Sequence, residues 1–123
     1  MSVGGAPTEL IYVFGIEPRE IVDRGDGDLV PITQAGYVEL ATAGVETRTL
    51  GDPTFRGQTI DLVFVTDGGN CVVTTASPVN QAGNNTLTFA DIGDHVRLVG
   101  FNNPTDGWEW RVVANDGVAL TTV

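Results

Sequence analysis

Alternation of apolar and polar residues through the second half of the chain is the feature that most limits how it can fold. Residues 59–75 read TIDLVFV, then TDGGN, then CVVTT. β-Branched and aromatic residues favour strands, and Asp-Gly with Gly-Gly supplies the positive φ that tight hairpin loops need. The sequence therefore predicts a β-hairpin built from residues 59–65 and 71–75.

The same period of two continues along residues 86–89, 95–101 and 108–112, and turn-rich text separates these segments. Residues 37–40 and 45–50 are candidate strands nearer the N-terminus. A short helix over residues 34–43 is the alternative there, although Gly36 and its β-branched neighbours argue against it. Short strands about every 10 to 15 residues predict an all-β fold, a small antiparallel β-sandwich or barrel of jelly-roll type.

The length of 123 residues suits a single domain, and the 16 glycines agree with many turns. We divide the chain into an extended N-terminal arm, residues 1–31, and a β-domain, residues 32–123. The most apolar part of the arm would have to be covered on both faces if it forms a strand. It consists of Leu10, Ile11, Tyr12, Val13 and Phe14.

Charge restricts the partners of the chain. It has 16 carboxylates against 6 positive charges, all of them arginines, for a formal net charge of −10. Such a surface repels phosphate, so nucleic acid and anionic membrane are disfavoured as partners. The longest apolar run is too short to span a membrane, and the first residues do not resemble a secretion signal. We therefore expect a soluble protein made in a cytosol.

No residue pattern points to catalysis, to a metal or to a cofactor. Cys71 and His95 are the only residues of their kinds, so a nucleophile pair would require the fold to bring them together, and zinc would need further ligands. The aspartates of residues 26–28 and 91–94 leave calcium as an alternative, but aspartates in glycine-rich turns more often accept hydrogen bonds from their own backbone. We predict that the chain is not an enzyme.

Four apolar residues fall on strand faces that also carry charge, which suggests a subunit interface. They are Val63, Val65, Val99 and Phe101. The equally weighted alternative is that a loop or the second sheet covers them. Trp108 and Trp110 lie two apart, hence on one face, and this spacing favours burial in the core over a platform for sugars.

The second half of the chain resembles a β-module of tailed-bacteriophage structural proteins. The resemblance covers about residues 45–120. It is carried by Gly57-Gln58-Thr59-Ile60, the turn Thr66-Asp67-Gly68-Gly69, the segment NTLTFADIGD at residues 85–94, Val96-x-Leu98, Trp108-x-Trp110-x-Val112 and Asn115-Asp116-Gly117-Val118. Such modules occur in capsid decoration (cement) proteins and in some head-fibre and tail-fibre pieces.

The resemblance implies a non-enzymatic virion protein, usually a homotrimer. Because the chain is short and shows no repeat typical of fibre shafts, we expect a decoration protein on the outer capsid surface. Residues 10–14 would then dock on the major capsid protein. The alternative is a head-spike or tail-fibre tip module that binds a host glycan or receptor.

Overall fold

The computed structural model describes residues 19–30 and 34–123, and in these ranges the chain is all-β, as predicted. No helix is present in these two ranges, and residues 36–41 form a strand rather than the alternative short helix. The strands are β1 (Leu29–Val30), β2 (Gly36–Ala41), β3 (Glu46–Leu50), β4 (Thr59–Thr66), β5 (Cys71–Thr75), β6 (Thr86–Phe89), β7 (His95–Asn103), β8 (Gly107–Asp116) and β9 (Ala119–Thr121).

The strands form two sheets that enclose one core, which confirms the predicted β-sandwich. Sheet A has the order β8-β7-β4-β2, and sheet B has the order β9-β6-β5-β3-β1. Alternate residues of each strand point inward, as the period of two predicts. The largest apolar side chains between the sheets are Leu40, Leu50, Ile60, Leu62, Phe64, Leu87, Phe89, Leu98 and Trp110.

The antiparallel pairing that we predicted holds for the second half of the chain and not for the first, so both sheets are mixed. Strand β2 pairs with β4 in parallel, and β1, β3 and β5 pair in parallel in sheet B. The remaining pairs, which involve β6 to β9, are antiparallel. The physical reason is that successive strands in the first half of the chain do not pair with each other but alternate between the sheets.

The predicted hairpin is also wrong, although both of its strands exist. Strand β4 belongs to sheet A and β5 to sheet B, so the turn at residues 67–70 crosses the core as a β-arch. A β-arch is a turn that joins a strand of one sheet to a strand of the other. The glycines of this turn do not have positive φ.

Glycine is required at residues 68 and 69 because two arches approach each other closely there. A Cβ on Gly68 would lie 2.5 Å from the carbonyl oxygen of Thr42, and one on Gly69 would lie 2.5 Å from the carbonyl carbon of Gly44. The hydroxyl of Thr42 donates to the Gly69 carbonyl at 2.6 Å and accepts from the Gly68 N–H at 3.1 Å. The arch at residues 67–70 therefore packs directly on the arch at residues 42–45.

Five short arches lie at one end of the sandwich, which we call the arch end. They are formed by residues 22–28, 42–45, 67–70, 90–94 and 117–118. Hydrogen bonds join arches to neighbouring strands: the Gly27 N–H donates to the Thr47 carbonyl in β3, and the Phe64 N–H in β4 donates to the Asp94 carbonyl. At the opposite end, strands are connected by residues 51–58, 76–85 and 104–106.

Residues 19–30, which we assigned to the N-terminal arm, form the outermost arch of the stack. Glu20 forms a parallel bridge with Tyr37, Ile21 is 3% exposed within the core, and β1 pairs with β3. The apolar residues 10–14 lie outside the described residues, so the docking role predicted for them stays a prediction.

A buried arginine joins this outermost arch to the next one. Arg48 is 1% exposed, and its guanidinium group donates to both carboxylate oxygens of Asp23, at 2.7 and 3.0 Å. It also donates to the Ala41 carbonyl and to Glu46, each at 3.0 Å. The hydrogen bond with Asp23 raises the pKa of Arg48, so the pair is charged at any ordinary pH.

Asp23→Asn is expected to lower the free energy of unfolding by roughly 2–3 kcal/mol, because Arg48 would keep its buried charge with Glu46 as its one remaining charged partner among the described residues. Chemical denaturation at neutral pH measures the change. Asp28→Asn is the matched control, since Asp28 is exposed and its change should stay within about 0.5 kcal/mol. Equal effects of the two substitutions would contradict the role of the pair.

The same pair predicts a pH dependence of stability. Burial alone would raise the pKa of Asp23, but hydrogen bonds from Arg48 and from the N–H groups of Ala41 and Gly25 outweigh burial and lower this pKa. The stabilisation is therefore complete above the unfolded-state pKa of about 3.9 and is lost as the pH falls through the lower folded-state value. Asp23→Asn should remove this part of the acid dependence.

Gly68→Ala is expected to destabilise the fold by about 1–3 kcal/mol, because the added methyl group overlaps the backbone of the neighbouring arch. Thermal and urea unfolding measure the loss. Gly44→Ala is the control, because a Cβ at Gly44 meets nothing within 4 Å and its φ is not positive. If both variants unfold alike, the arches do not depend on close packing at residue 68.

Candidate functional site

The four residues predicted to form a subunit interface share the outward face of sheet A, as their alternation indicated. All four are half-buried. The antiparallel register pairs Thr59 with Val99 and Val63 with His95. Val63 and Val99 are therefore separated by four residues along the strands, or about 13 Å at 3.3 Å per residue.

The structure thus places two apolar pairs at opposite ends of this face rather than one continuous patch. Val63 and Val65 lie towards the arch end, and Val99 and Phe101 lie towards the other end. Whether these residues contact another subunit stays a prediction.

A charged cluster separates the two pairs. Asp61 Oδ1 lies 2.9 Å from Arg97 Nε and 3.0 Å from His95 Nε2, and Asp61 Oδ2 accepts a hydrogen bond from Arg97 Nη2 at 3.3 Å. Asp61 is only 7% exposed even though it points away from the core. Asp61 and Arg97 are partners in the register of β4 and β7, so the ion pair forms across strands of one chain.

A second ion pair lies beside Phe101. Arg111 Nη1 lies 3.0 Å from Glu109 Oε1, and the Arg111 guanidinium carbon sits 5.0 Å from the centre of the Phe101 ring. Glu109 is 3% exposed. A cation over an aromatic face is stabilising. Arg111 therefore already covers part of the apolar surface that we predicted as a subunit interface.

A shallow pocket of about 260 Å³ opens beside the charged cluster, where the register of β7 and β8 shifts between Val112 and Ala114. Its lining residues are Asp61, His95, Arg97, Ala114, Asn115 and Asp116. None of these is a serine, threonine or cysteine, and the Asn115 amide is engaged with both backbone groups of Val118. The pocket offers polar contacts but no hydroxyl or thiol nucleophile.

Cys71 and His95 do not form a nucleophile pair. Cys71 points inward from sheet B and is fully buried, whereas His95 points outward from sheet A. Burial raises the pKa of the Cys71 thiol to about 11, so the thiolate is scarce at neutral pH. The cysteine is therefore a small core residue.

Cys71 is expected to be unreactive towards a thiol reagent such as Ellman's reagent in the folded protein at pH 8. It should react fully once the protein is unfolded in urea, because unfolding removes both the burial and the raised pKa. Absorbance of the released thiolate measures both rates. Rapid labelling of the folded chain would show that the residue is accessible.

The acidic turns suggested as calcium sites use their oxygens within the fold. Asp26 Oδ1 accepts the Thr47 N–H at 2.9 Å, and Asp94 Oδ2 accepts the N–H groups of Ala90 and Asp91. In the described part of the chain, no group of three or more His, Cys, Asp or Glu side chains could hold a metal ion. Nor does any helix in that part have the length and apolarity to cross a membrane.

The two tryptophans divide between core and rim. Trp110 is fully buried and donates from Nε1 to the Gly51 carbonyl at 2.7 Å, as its spacing predicted. Trp108 is half-buried at the end opposite the arches, where the Arg56 guanidinium carbon lies 5.7 Å from the centre of its ring.

The outward face of sheet B is a feature that our sequence reasoning missed. Its paired positions form two rows across β3, β5, β6 and β9. The first row is Thr47, Val72, Thr88 and Ala119, and the second row is Thr49, Thr74, Thr86 and Thr121. We call these residues the threonine face. The signal was the Thr-x-Thr pattern within the strands, which also occurs on ordinary solvated sheets.

Comparisons with known proteins do not assign the chain to a family. No protein-family model matches the chain, and the search of curated proteins finds no match.

Proposed function

We propose that this chain is a structural virion protein of a tailed bacteriophage, a decoration protein that binds the assembled lattice of the major capsid protein. The proposal rests on the resemblance of residues 45–120 to phage β-modules. It is supported by a helix-free sandwich whose only cysteine is a buried core residue. On this proposal the chain has a mechanical role rather than a catalytic one.

The observation that carries the proposal further is the unequal charge of the two ends of the sandwich. The arch end exposes Asp26, Asp28, Asp67, Asp91 and Asp116. The opposite end is closer to neutral, because the exposed Arg19 and Arg56 offset Glu20 and Asp106 there. This end also exposes Phe55, Pro104 and part of Trp108.

The described chain also enters the sandwich from this less charged end. Arg19 to Ile21 run parallel to β2, with the Tyr37 N–H donating to the Arg19 carbonyl and the Ile21 N–H donating to the Tyr37 carbonyl. Strand β2 runs towards the arch end, so Arg19, where the described part of the chain begins, lies at the opposite end. The predicted docking segment, residues 10–14, precedes Arg19 in the sequence, and this end is the easier one to bury against another protein.

Binding of this kind would stabilise the assembled lattice by mass action. A protein that binds only the assembled state lowers the free energy of that state by an amount that grows with its concentration relative to the dissociation constant. An extended segment adds affinity through main-chain hydrogen bonds when it joins the edge of a sheet. The acidic arch end would then face outwards.

Deletion of residues 1–16 is expected to reduce capsid binding by more than about tenfold and to leave the β-sandwich folded. Co-sedimentation with capsids of the phage whose genome encodes the chain measures binding, and circular dichroism checks the fold. The matched control is the full chain with Asp26→Asn, Asp67→Asn and Asp91→Asn, which changes the arch end and should bind normally. Undiminished binding by the truncated chain would remove residues 10–14 from the proposal.

A second candidate is a head-spike or tail-fibre tip module that binds a host glycan, which the half-exposed Trp108 under Arg56 favours. An aromatic ring at a domain end can stack against a sugar. Screening on a glycan array separates the candidates, because a tip module predicts binding that Trp108→Ala abolishes, whereas a decoration protein predicts no signal.

A further inference from the structure

The threonine face is a charge-free surface on a strongly acidic protein. None of its side chains can ionise, whereas the outward face of sheet A carries Glu39, Asp61, Arg97, Glu109 and Arg111. With a formal net charge of −10, two copies repel each other through most orientations. The repulsion is smallest where they approach through a surface without carboxylates.

Five of the six hydroxyl groups of this face are available, and the exception is that of Thr86, which is 3% exposed. Thr86 donates to the Asn85 side chain, but the hydroxyls of Thr47, Thr49, Thr74 and Thr88 make no hydrogen bond to any described residue, and neither does that of Thr121. A hydroxyl group both donates and accepts, so an array of hydroxyls is complementary to a second copy of itself. Carboxylates or guanidinium groups alone lack this property.

Burial of this face costs little conformational entropy. Threonine and valine have stiff χ1 angles, and alanine has no rotamers to lose. Their methyl groups can pack against a facing sheet at the usual separation of about 10 Å. The unpaired hydroxyls can form hydrogen bonds across the contact, which avoids the cost of burying them unsatisfied.

We propose that the threonine face is the surface through which copies of this chain associate. Identical faces that pack against each other meet in pairs across a two-fold axis. Four strands at about 4.8 Å and five residues at about 3.4 Å give a face of roughly 300 Å². Because stable interfaces bury about 800 Å² per partner, association through this face alone is weak and depends on concentration.

The test is sedimentation velocity combined with light scattering on the full chain over a wide range of concentration. The wild-type chain is expected to form dimers as concentration rises. Added NaCl should strengthen this association, because salt screens the repulsion between acidic copies and there is no ion pair in the contact to weaken. A chain that stays monomeric throughout overturns the proposal.

The double variant Thr49→Glu/Thr121→Glu is expected to weaken association by more than about tenfold, or about 1.4 kcal/mol. Both residues are exposed, so the fold should tolerate the change, and circular dichroism verifies it. If the double variant unfolds, association is measured instead on the single variant Thr121→Glu, whose substitution lies in the short terminal strand β9. Thr105→Glu is the matched control, since Thr105 is exposed in the turn between β7 and β8.

Val63→Glu tests the competing surface. If Val63→Glu dissociates the oligomer and the threonine-face variants do not, the contact lies on the outward face of sheet A and the proposal is wrong. The inference does not require capsid binding, because the molar mass of the oligomer is measured on the isolated chain. Failure of the proposed function would leave the oligomer intact, and failure of this inference would leave co-sedimentation unaffected.

Discussion

The ion pair between Arg48 and Asp23 is the interaction on which the arch end depends. A guanidinium group that is 1% exposed is tolerated only when its donors find acceptors. Arg48 finds them in the outermost arch, at the end of β2 and within its own strand. One buried charge therefore ties the outermost arch, at Asp23, to β2 of sheet A and β3 of sheet B.

The arches in turn dictate why the first half of the sandwich is parallel. A parallel pair needs a long connection that returns the chain to its starting end. Here the return path for β2 and β4 is a strand of the other sheet, β3, followed by residues 51–58. Each passage through the arch end thus adds one strand to each sheet. In the second half, β6 enters from sheet B, and pairing becomes antiparallel.

Most strands could be predicted from the sequence, but their partners could not. A period of two shows which side chains share a face, and it correctly predicted that Trp110 is buried. It does not show which sheet a strand joins. The sequence of residues 66–70 is compatible with a hairpin and with an arch. Which of the two forms depends on the contact with Thr42, which lies far away in sequence.

The candidate site illustrates the same limit. Alternation placed Val63 and Val99 on one face, but only the register shows that Asp61 and Arg97 lie between them. An overlooked signal was the recurrence of Gly44, Gly69, Gly93 and Gly117, each within or next to an arch, about every 24 residues, a spacing typical of repeat architectures. No local rule identified it, because the sequences between these glycines differ.

The stacking of arches has a consequence for how such a chain can change in length. Since each of the first arches, with its flanking strands, forms one layer across both sheets, inserting or removing a whole layer preserves the pairing rules on either side of it. Partial insertions would shift one sheet against the other. Chains of this architecture should therefore vary by whole layers, in the way that solenoids gain and lose their coils.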